Sequence, residues 1–193
     1  MYELPKSIML DGQEWNIRNK GDFRVILDCF EALNDVDLST NEKIIASLII
    51  FLEDLNSIED INKLPDIEEA YKEMVKFFNC GQEEQEASSY KLIDWNKDST
   101  LIISAVNKVA GKEIRSQYVH WWTFMGYYVA IGECPLSTIV GIRYKKIKNK
   151  KLEKWERDFV RENPQYFRTI QNKTSEELKF EEELKKLWEG GDN

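Results

Sequence analysis

Residues 4–17 read LPKSIMLDGQEWNI and carry the one strong β-strand pattern of the sequence. Alternating side chains lie on the same face of a strand, and an Asp-Gly pair supplies the positive φ angles of a type I′ turn. The stretch therefore predicts a β-hairpin that turns at Asp11-Gly12. An isolated two-stranded hairpin is marginally stable in water, so we expect its apolar face to pack onto helices or to pair with another chain. The alternating apolar residues of that face are Ile8, Leu10, Trp15 and Ile17.

Outward from the hairpin, the pattern becomes helical. Asp22 precedes apolar residues at helical spacing, and Ser39 with Glu42 has the spacing of a capping box. Asp66 precedes a third apolar stripe, for which Gly81 is the expected stop. Three helices are therefore predicted before residue 82.

Three more helices are predicted further along the chain. Either Asp94 or Asp98 begins the fourth helix, and Gly111 ends it. The fifth is expected over about residues 116–131 and is rich in aromatic side chains, and a short sixth follows over about residues 136–141. The sequence predicts a mainly α-helical protein with an N-terminal β-hairpin.

The charge is distributed unevenly along the chain. The 193 residues include 35 acidic and 27 basic side chains, for a net charge of -8. Residues 1–144 carry a net charge of -10 and residues 145–193 carry +2. We predict a helical domain with the hairpin over residues 1–144 and a charged helical C-terminal extension over 145–193. Asn163-Pro164 should divide the extension into two helices, because proline interrupts a helix.

Overall acidity argues against a general nucleic-acid-binding protein, which needs a basic footprint. The basic run from Arg143 to Arg157 nevertheless allows three interpretations. It is a solvated helix face, a contact surface for the Glu-rich stretch Glu176–Glu183, or a nucleic-acid contact. A membrane-bound protein is not expected, because the apolar stretch Ile44–Leu55 is too short to span a bilayer.

The sequence shows no pattern typical of an enzyme or a cofactor site. His120 is its one histidine, and no nucleophile motif accompanies it, so a structural role is expected rather than catalysis. The glycines form no phosphate-binding loop. The odd, widely separated cysteines Cys29, Cys80 and Cys134 fit neither a disulfide framework nor a zinc site, and are expected to be reduced thiols. We expect no catalytic residue, no cofactor and no metal.

The aromatic helix supplies candidates for protein–protein contact. Neighbouring Trp121 and Trp122 point about 100° apart on a helix. Either both lie in the core, or one is a binding anchor of the kind for which tryptophan is favoured. The candidate partner-binding residues are Trp121, Trp122, Phe124, Tyr128, Arg143, Trp155, Leu184 and Trp188.

Six segments within about residues 4–160 occur in the same order and at similar spacing as in a known protein family. They are the hairpin stretch Leu4–Ile17, DFRVIL (Asp22–Leu27), FFNCG (Phe77–Gly81), DWNKDSTLIISAV (Asp94–Val106), HWWTFMGYY (His120–Tyr128) and LSTIVGIR (Leu136–Arg143). Together they resemble a family of tail-assembly proteins from tailed phages of Gram-positive bacteria.

The resemblance implies a tail-assembly chaperone of the kind encoded between the tail-tube and tape-measure genes. Such a protein would bind the phage tape-measure protein, keep it soluble and recruit subunits of the tail-tube (major tail) protein. A coat along a filament also implies self-association into a homo-multimer. The expected location is the host bacterial cytoplasm and not the mature virion, and no enzymatic activity is implied.

Two alternatives stay open from the sequence. The first is a structural tail or head–tail completion protein that is retained in the virion. The second is a regulatory or nucleic-acid-binding helical protein that uses the basic run.

Overall fold

The computed structural model describes residues 3–82 and 92–168, and this part of the chain is mainly α-helical with an N-terminal β-hairpin, as predicted. The described residues form two compact units. The first contains residues 3–82 and 114–126, and the second contains residues 92–113 and 127–168. The chain therefore leaves the first unit, builds part of the second, and returns to the first before completing the second.

The hairpin consists of β1 (Ser7–Leu10) and β2 (Gln13–Asn16), in the register Ile8↔Trp15 and Leu10↔Gln13. Asp11 and Gly12 connect the strands with φ angles of 47° and 75°, which confirms the predicted type of turn. The expected apolar face is also confirmed, and it packs within the chain. Its buried residues are Ile8, Leu10, Trp15 and Ile17.

Three helices with the predicted N-terminal caps follow: α1 (Phe23–Asn34), α2 (Thr40–Phe51) and α3 (Ile67–Phe78). The Asp22 carboxylate accepts the Arg24 N–H, and the capping box of Ser39 and Glu42 is formed. The Asp66 carboxylate accepts two amides at the start of α3. A 3₁₀ turn, Ile58–Lys63, connects α2 to α3.

Arg18 fixes the end of α2 next to the hairpin. Its guanidinium donates to the carbonyl oxygens of Ile49, Ile50, Leu52 and Leu55 at 2.6–3.0 Å. These are carbonyls of the last turn of α2 and the residues after it, which lack partners within the helix. One side chain therefore satisfies four carbonyl groups, and the sequence pattern gave no sign of it.

The end of α3 differs from the prediction by one residue. Cys80, and not Gly81, is the first left-handed residue after the helix, with φ of 56°. Its N–H donates to Phe77 O at 3.0 Å, and the Gly81 N–H donates to Lys76 O at 2.9 Å. This pair of bonds is a Schellman motif, in which the left-handed residue is usually glycine.

The second unit contains α4 (Ser99–Ala110), α6 (Pro135–Ile147) and α7 (Lys154–Glu162). Asp98 immediately precedes α4, and left-handed Gly111 follows it. The predicted short helix over 136–141 is in fact the longer α6, which begins at Pro135, in the first turn where proline is tolerated, and continues to Ile147. The apolar core of the second unit contains Ile139, Ile142, Phe167, Leu101, Leu152, Phe159, Val160 and Tyr166.

The aromatic helix α5 (Trp121–Val129) is shorter than the predicted 116–131. Residues Ile114–Ser116 form a 3₁₀ turn, and His120 pairs with Asp22 as a β-bridge, so the α-helix begins only at Trp121. The boundary between the two units falls within α5, after Gly126.

The proposed extension is described only in part. Residue 144 lies inside α6, and the division of the chain there stays a prediction. The break at Asn163-Pro164 is confirmed, because α7 ends at Glu162 and a 3₁₀ turn, Pro164–Tyr166, follows. The second predicted helix of the extension lies outside the described residues.

Candidate partner-binding site

His120 is a structural residue of the first unit. Its side chain is 1% exposed, and the Trp122 N–H donates to its Nδ1 at 3.1 Å. Because Nδ1 accepts, the proton is on Nε2, which donates to Pro5 O at 2.8 Å. His120 thus caps the start of α5 with one ring nitrogen and holds the segment before the hairpin with the other. Burial lowers the pKa of His120, which favours this neutral form.

Trp121 and Trp122 both cap the end of α3. The Trp121 indole N–H donates to Phe78 O, and the Trp122 indole N–H donates to Phe77 O, each at 2.9 Å. A Cβ added to Gly81 would lie 3.1 Å from the Trp122 ring. The sequence motifs FFNCG and HWW therefore contact each other, and both serve to join α3 to α5.

The first unit buries two of the candidate partner-binding residues. Trp121 is 1% exposed and Phe124 is 0% exposed. Phe124 stacks on Phe23 with 4.8 Å between ring centroids and on Trp121 with 5.4 Å. Both candidates are core residues in this structure. Trp122 is half-buried, and part of its surface faces solvent.

Tyr128 belongs to the second unit, where it is half-buried. Its ring centroid lies 5.2 Å from that of Trp95. Burial raises the pKa of the Tyr128 hydroxyl, and the negative charge of Asp98 adds to this effect. The aromatic side chains of α5 after Gly126 therefore pack with residues of the second unit.

Arg143 is buried in an ion pair and is not a surface residue. Its guanidinium binds both carboxylate oxygens of Asp98, at 2.5 and 2.8 Å, and the two side chains are 4% and 1% exposed. The same guanidinium donates to Leu92 O at 2.9 Å and to Tyr166 O at 2.7 and 3.0 Å. Arg143 thus joins α4, α6 and the segment after α7. The sequence pattern suggested Asp98 only as the start of a helix.

Trp155 is the candidate that remains accessible on α7, where it is 56% exposed. Further along α7, Phe159 and Val160 are partly buried and pack against the core of the second unit. Glu156 is buried and binds the Lys145 ammonium at 2.7 Å, which ties α7 to α6, and this contact lowers the Glu156 pKa. Leu184 and Trp188 lie outside the described residues.

Most of the basic run is exposed to solvent. Lys146, Lys148, Lys150, Lys151 and Lys154 are all exposed. Arg143 and Lys145 form ion pairs with Asp98 and Glu156. Within residues 3–82 and 92–168, no helix is long and apolar enough to cross a membrane, and no group of three or more potential ligand side chains could hold a metal ion.

Comparison with known proteins gives one family. A family model described as Bacteriophage Gp15 protein matches residues 1–168, which is most of the chain. No curated protein and no solved structure matches the chain significantly.

Proposed function

The chain belongs to the Bacteriophage Gp15 protein family, and we propose from this membership that it is a tail-assembly chaperone. It binds the phage tape-measure protein, keeps it soluble, and recruits subunits of the tail-tube protein while the tail is built. It acts in the host cytoplasm, as a protein without enzymatic activity, and it is not retained in the mature virion.

The observation that carries the proposal is the family match over residues 1–168, because it identifies the chain as a phage protein. The six-segment resemblance to tail-assembly proteins narrows this to one stage of phage assembly. The physical properties are compatible. An acidic protein of net charge -8 remains soluble, and it can keep in solution a partner whose apolar helix faces would otherwise aggregate.

Contact with such a partner needs accessible apolar side chains. In the second unit, Trp155 is 56% exposed and Val129 is 78% exposed. Trp155 is our choice for a contact residue, because exposed tryptophan is favoured at the energetic centre of interfaces. Trp121, Phe124 and Arg143 support the fold instead, because they are buried.

The test is coexpression with the tape-measure protein of the same phage. We expect the soluble fraction of the tape-measure protein to rise and a complex to elute in gel filtration. Trp155→Ser should weaken the complex, while Val36→Ser should not, because Val36 is 78% exposed on the first unit and is not a candidate contact. Unchanged solubility of the tape-measure protein, with no complex, would refute the proposal.

Mass spectrometry of purified virions separates the chaperone from a structural virion protein. A chaperone should be absent or present in trace amounts. A stoichiometric amount in mature particles would favour a tail or head–tail completion protein. A pull-down with purified tail-tube protein tests the recruitment step independently.

A further inference from the structure

The β-hairpin has one open edge. In an antiparallel pair of strands, hydrogen-bonded residue pairs alternate with pairs that are not hydrogen-bonded. The Ile17 N–H donates to Lys6 O at 2.8 Å, which makes this a hydrogen-bonded pair, and Ile8 with its partner on β2 forms the next one. The backbone N–H and C=O groups of Ser7 and Met9 therefore point away from β2.

These backbone groups are unpaired in the structure. Within residues 3–82 and 92–168, neither the N–H nor the C=O of Ser7 or Met9 has a hydrogen-bond partner. Met9 is 54% exposed, and Leu4, just before the strand, is 40% exposed, so solvent reaches this part of the chain. On the outer side of β2, by contrast, Asn16 O accepts the Glu53 N–H at 2.9 Å. The edge of β1 is therefore more open than that of β2.

β1 also lacks the side chains that usually protect an edge strand. Natural edge strands often carry lysine or another charged residue, or proline, which discourages pairing with a second chain. Residues 7–10 read SIML, with neither a charge nor a proline. Unpaired backbone donors and acceptors along an uncharged strand favour the addition of another strand.

We propose that β1 pairs antiparallel with β1 of a second copy of this chain, in the register that places Ser7 opposite Met9 of the second copy. The arrangement has twofold symmetry about Ile8, so the Ser7–Met9 pair occurs twice. Each pair exchanges two backbone hydrogen bonds, which uses all the unpaired groups of both edges. The two hairpins then form one four-stranded sheet in the order β2-β1-β1-β2.

The backbone around β1 selects this register. If Ser7 paired with Ser7 of the second copy, Met9 would lie opposite Pro5. Pro5 has no N–H, and its carbonyl oxygen already accepts from His120 Nε2 at 2.8 Å. If Met9 paired with Met9, Ser7 would lie opposite Asp11, whose φ of 47° belongs to the turn. The Ser7–Met9 register avoids both obstacles.

A second copy fits this edge because the edge is complementary to itself. The contact is the same on both copies and consumes both open edges, so it stops at a dimer. Glu14, which accepts the Ser7 hydroxyl at 2.6 Å, belongs to β2, so the carboxylates of the two copies lie on the outer strands. The pairing depends on the hairpin alone, and its test is separate from that of the proposed function.

Amide hydrogen exchange of Ser7 and Met9 tests the proposal directly. In the monomer both amides face solvent and should exchange fast. As the protein concentration is raised, we expect their exchange to slow in proportion to the dimer fraction. The Ile8 amide is the internal control, because it donates within the hairpin and should be protected equally at all concentrations.

Sedimentation equilibrium of Ser7→Pro measures the energetic role of the edge. Proline is tolerated at the first residue of a strand when the N–H faces outward. Each copy loses one of the intermolecular bonds, so the dissociation constant of the dimer should rise about tenfold or more. The matched control is Ser7→Ala, which loses the hydroxyl contact with Glu14 but keeps the N–H, and it should dimerise like the parent.

Met9→Lys is a second variant that keeps every backbone group. Because Met9 is 54% exposed, the fold should tolerate the lysine, whereas in the dimer the two lysines would lie close to the symmetry axis and repel each other. The dimer should therefore weaken several-fold. Val36→Lys makes the same charge change at a residue that is 78% exposed outside the hairpin, and it should not weaken the dimer.

Three results would overturn the proposal. The first is a chain that stays monomeric, with exchange of the Ser7 and Met9 amides independent of concentration. The second is a dimer in which these amides still exchange fast, because its interface must then lie elsewhere. The third is protection of these amides in the monomer, or only after the tape-measure or tail-tube protein is added, which would assign the edge to another segment or to that partner.

Discussion

Arg143→Met removes the buried guanidinium and keeps an unbranched side chain of similar length. The Asp98 carboxylate, 1% exposed, then loses both of its bonds to Arg143. It keeps the Asp94 N–H as a donor at 3.0 Å, while Leu92 O and Tyr166 O also lose their bonds to the guanidinium. Breaking one side of a buried ion pair typically costs about 3–5 kcal/mol. We expect a loss of that size in the free energy of unfolding.

The double variant distinguishes a stranded charge from lost packing. With Asp98→Leu added to Arg143→Met, no buried charge remains, and apolar replacement of a buried pair is often close to neutral. We therefore expect the double variant to recover at least about 2 kcal/mol relative to Arg143→Met alone. Both side chains lie in the second unit.

Urea unfolding followed by circular dichroism measures these energies, and thermal unfolding provides a check. A loss of 3–5 kcal/mol corresponds to a decrease in Tm of about 6–20 °C for a chain of this size. Arg161→Met is the matched control, because Arg161 is 73% exposed in its pair with Asp158 and should cost less than about 1 kcal/mol. The reasoning is refuted if Arg143→Met costs no more than this control, or if the double variant is no more stable than Arg143→Met alone.

Three further predictions concern the first unit and α5. The free energy of unfolding should fall as the pH decreases below about 6.5, because burial lowers the pKa of His120 and the unfolded chain then binds a proton that the folded chain does not. The loss ends once the pH is below the pKa of His120 in the folded state. Urea titrations at several pH values measure it, and His120→Asn should lack this pH-dependent component. Trp122→Phe should cost about 1–2 kcal/mol in urea, because Phe77 O loses the indole donor, and a variant as stable as the parent would contradict that role. Gly12→Ala should lower the free energy of unfolding by about 1–2 kcal/mol, because the turn needs φ of 75° at this residue. The control Gly126→Ala, within α5, should be neutral or stabilising by up to about 1 kcal/mol. Equal effects of the two substitutions on Tm would contradict the explanation by backbone conformation.

Features that depend on neighbouring residues were predictable from the sequence. The turn at Asp11-Gly12 and the capping box of Ser39 and Glu42 are determined by side chains a few positions apart, and both were confirmed. The start of α5 was misplaced because a contact distant in sequence determines it. His120 pairs with Asp22, 98 positions earlier, and this β-bridge takes the place of the helical turn that the aromatic spacing favoured.

The candidate site was harder to predict, because a hydropathy pattern does not tell which aromatic face becomes the core. Trp121 and Phe124 looked like possible anchors, yet they stack in the core with Phe23. Arg143 looked like part of a solvent-facing basic run, and its partner Asp98 lies 45 residues earlier. Such pairings depend on how the helices pack against each other. The pattern of residues within one segment does not show that packing.

The discontinuous order of the first unit sets the timing of its folding during synthesis. Its last part, residues 114–126, supplies the partners of Pro5, Asp22 and the end of α3, and it is translated after residues 83–113. At a synthesis rate of about 5–20 residues per second, the 44 residues from 82 to 126 take about 2–9 seconds. During that interval, Phe23 and the C-terminal carbonyls of α3 lack the contacts with α5 that they make in the folded protein, because α5 has not yet been translated. A nascent chain paused before residue 126 would therefore be a natural client for the ribosome-associated chaperones of its host.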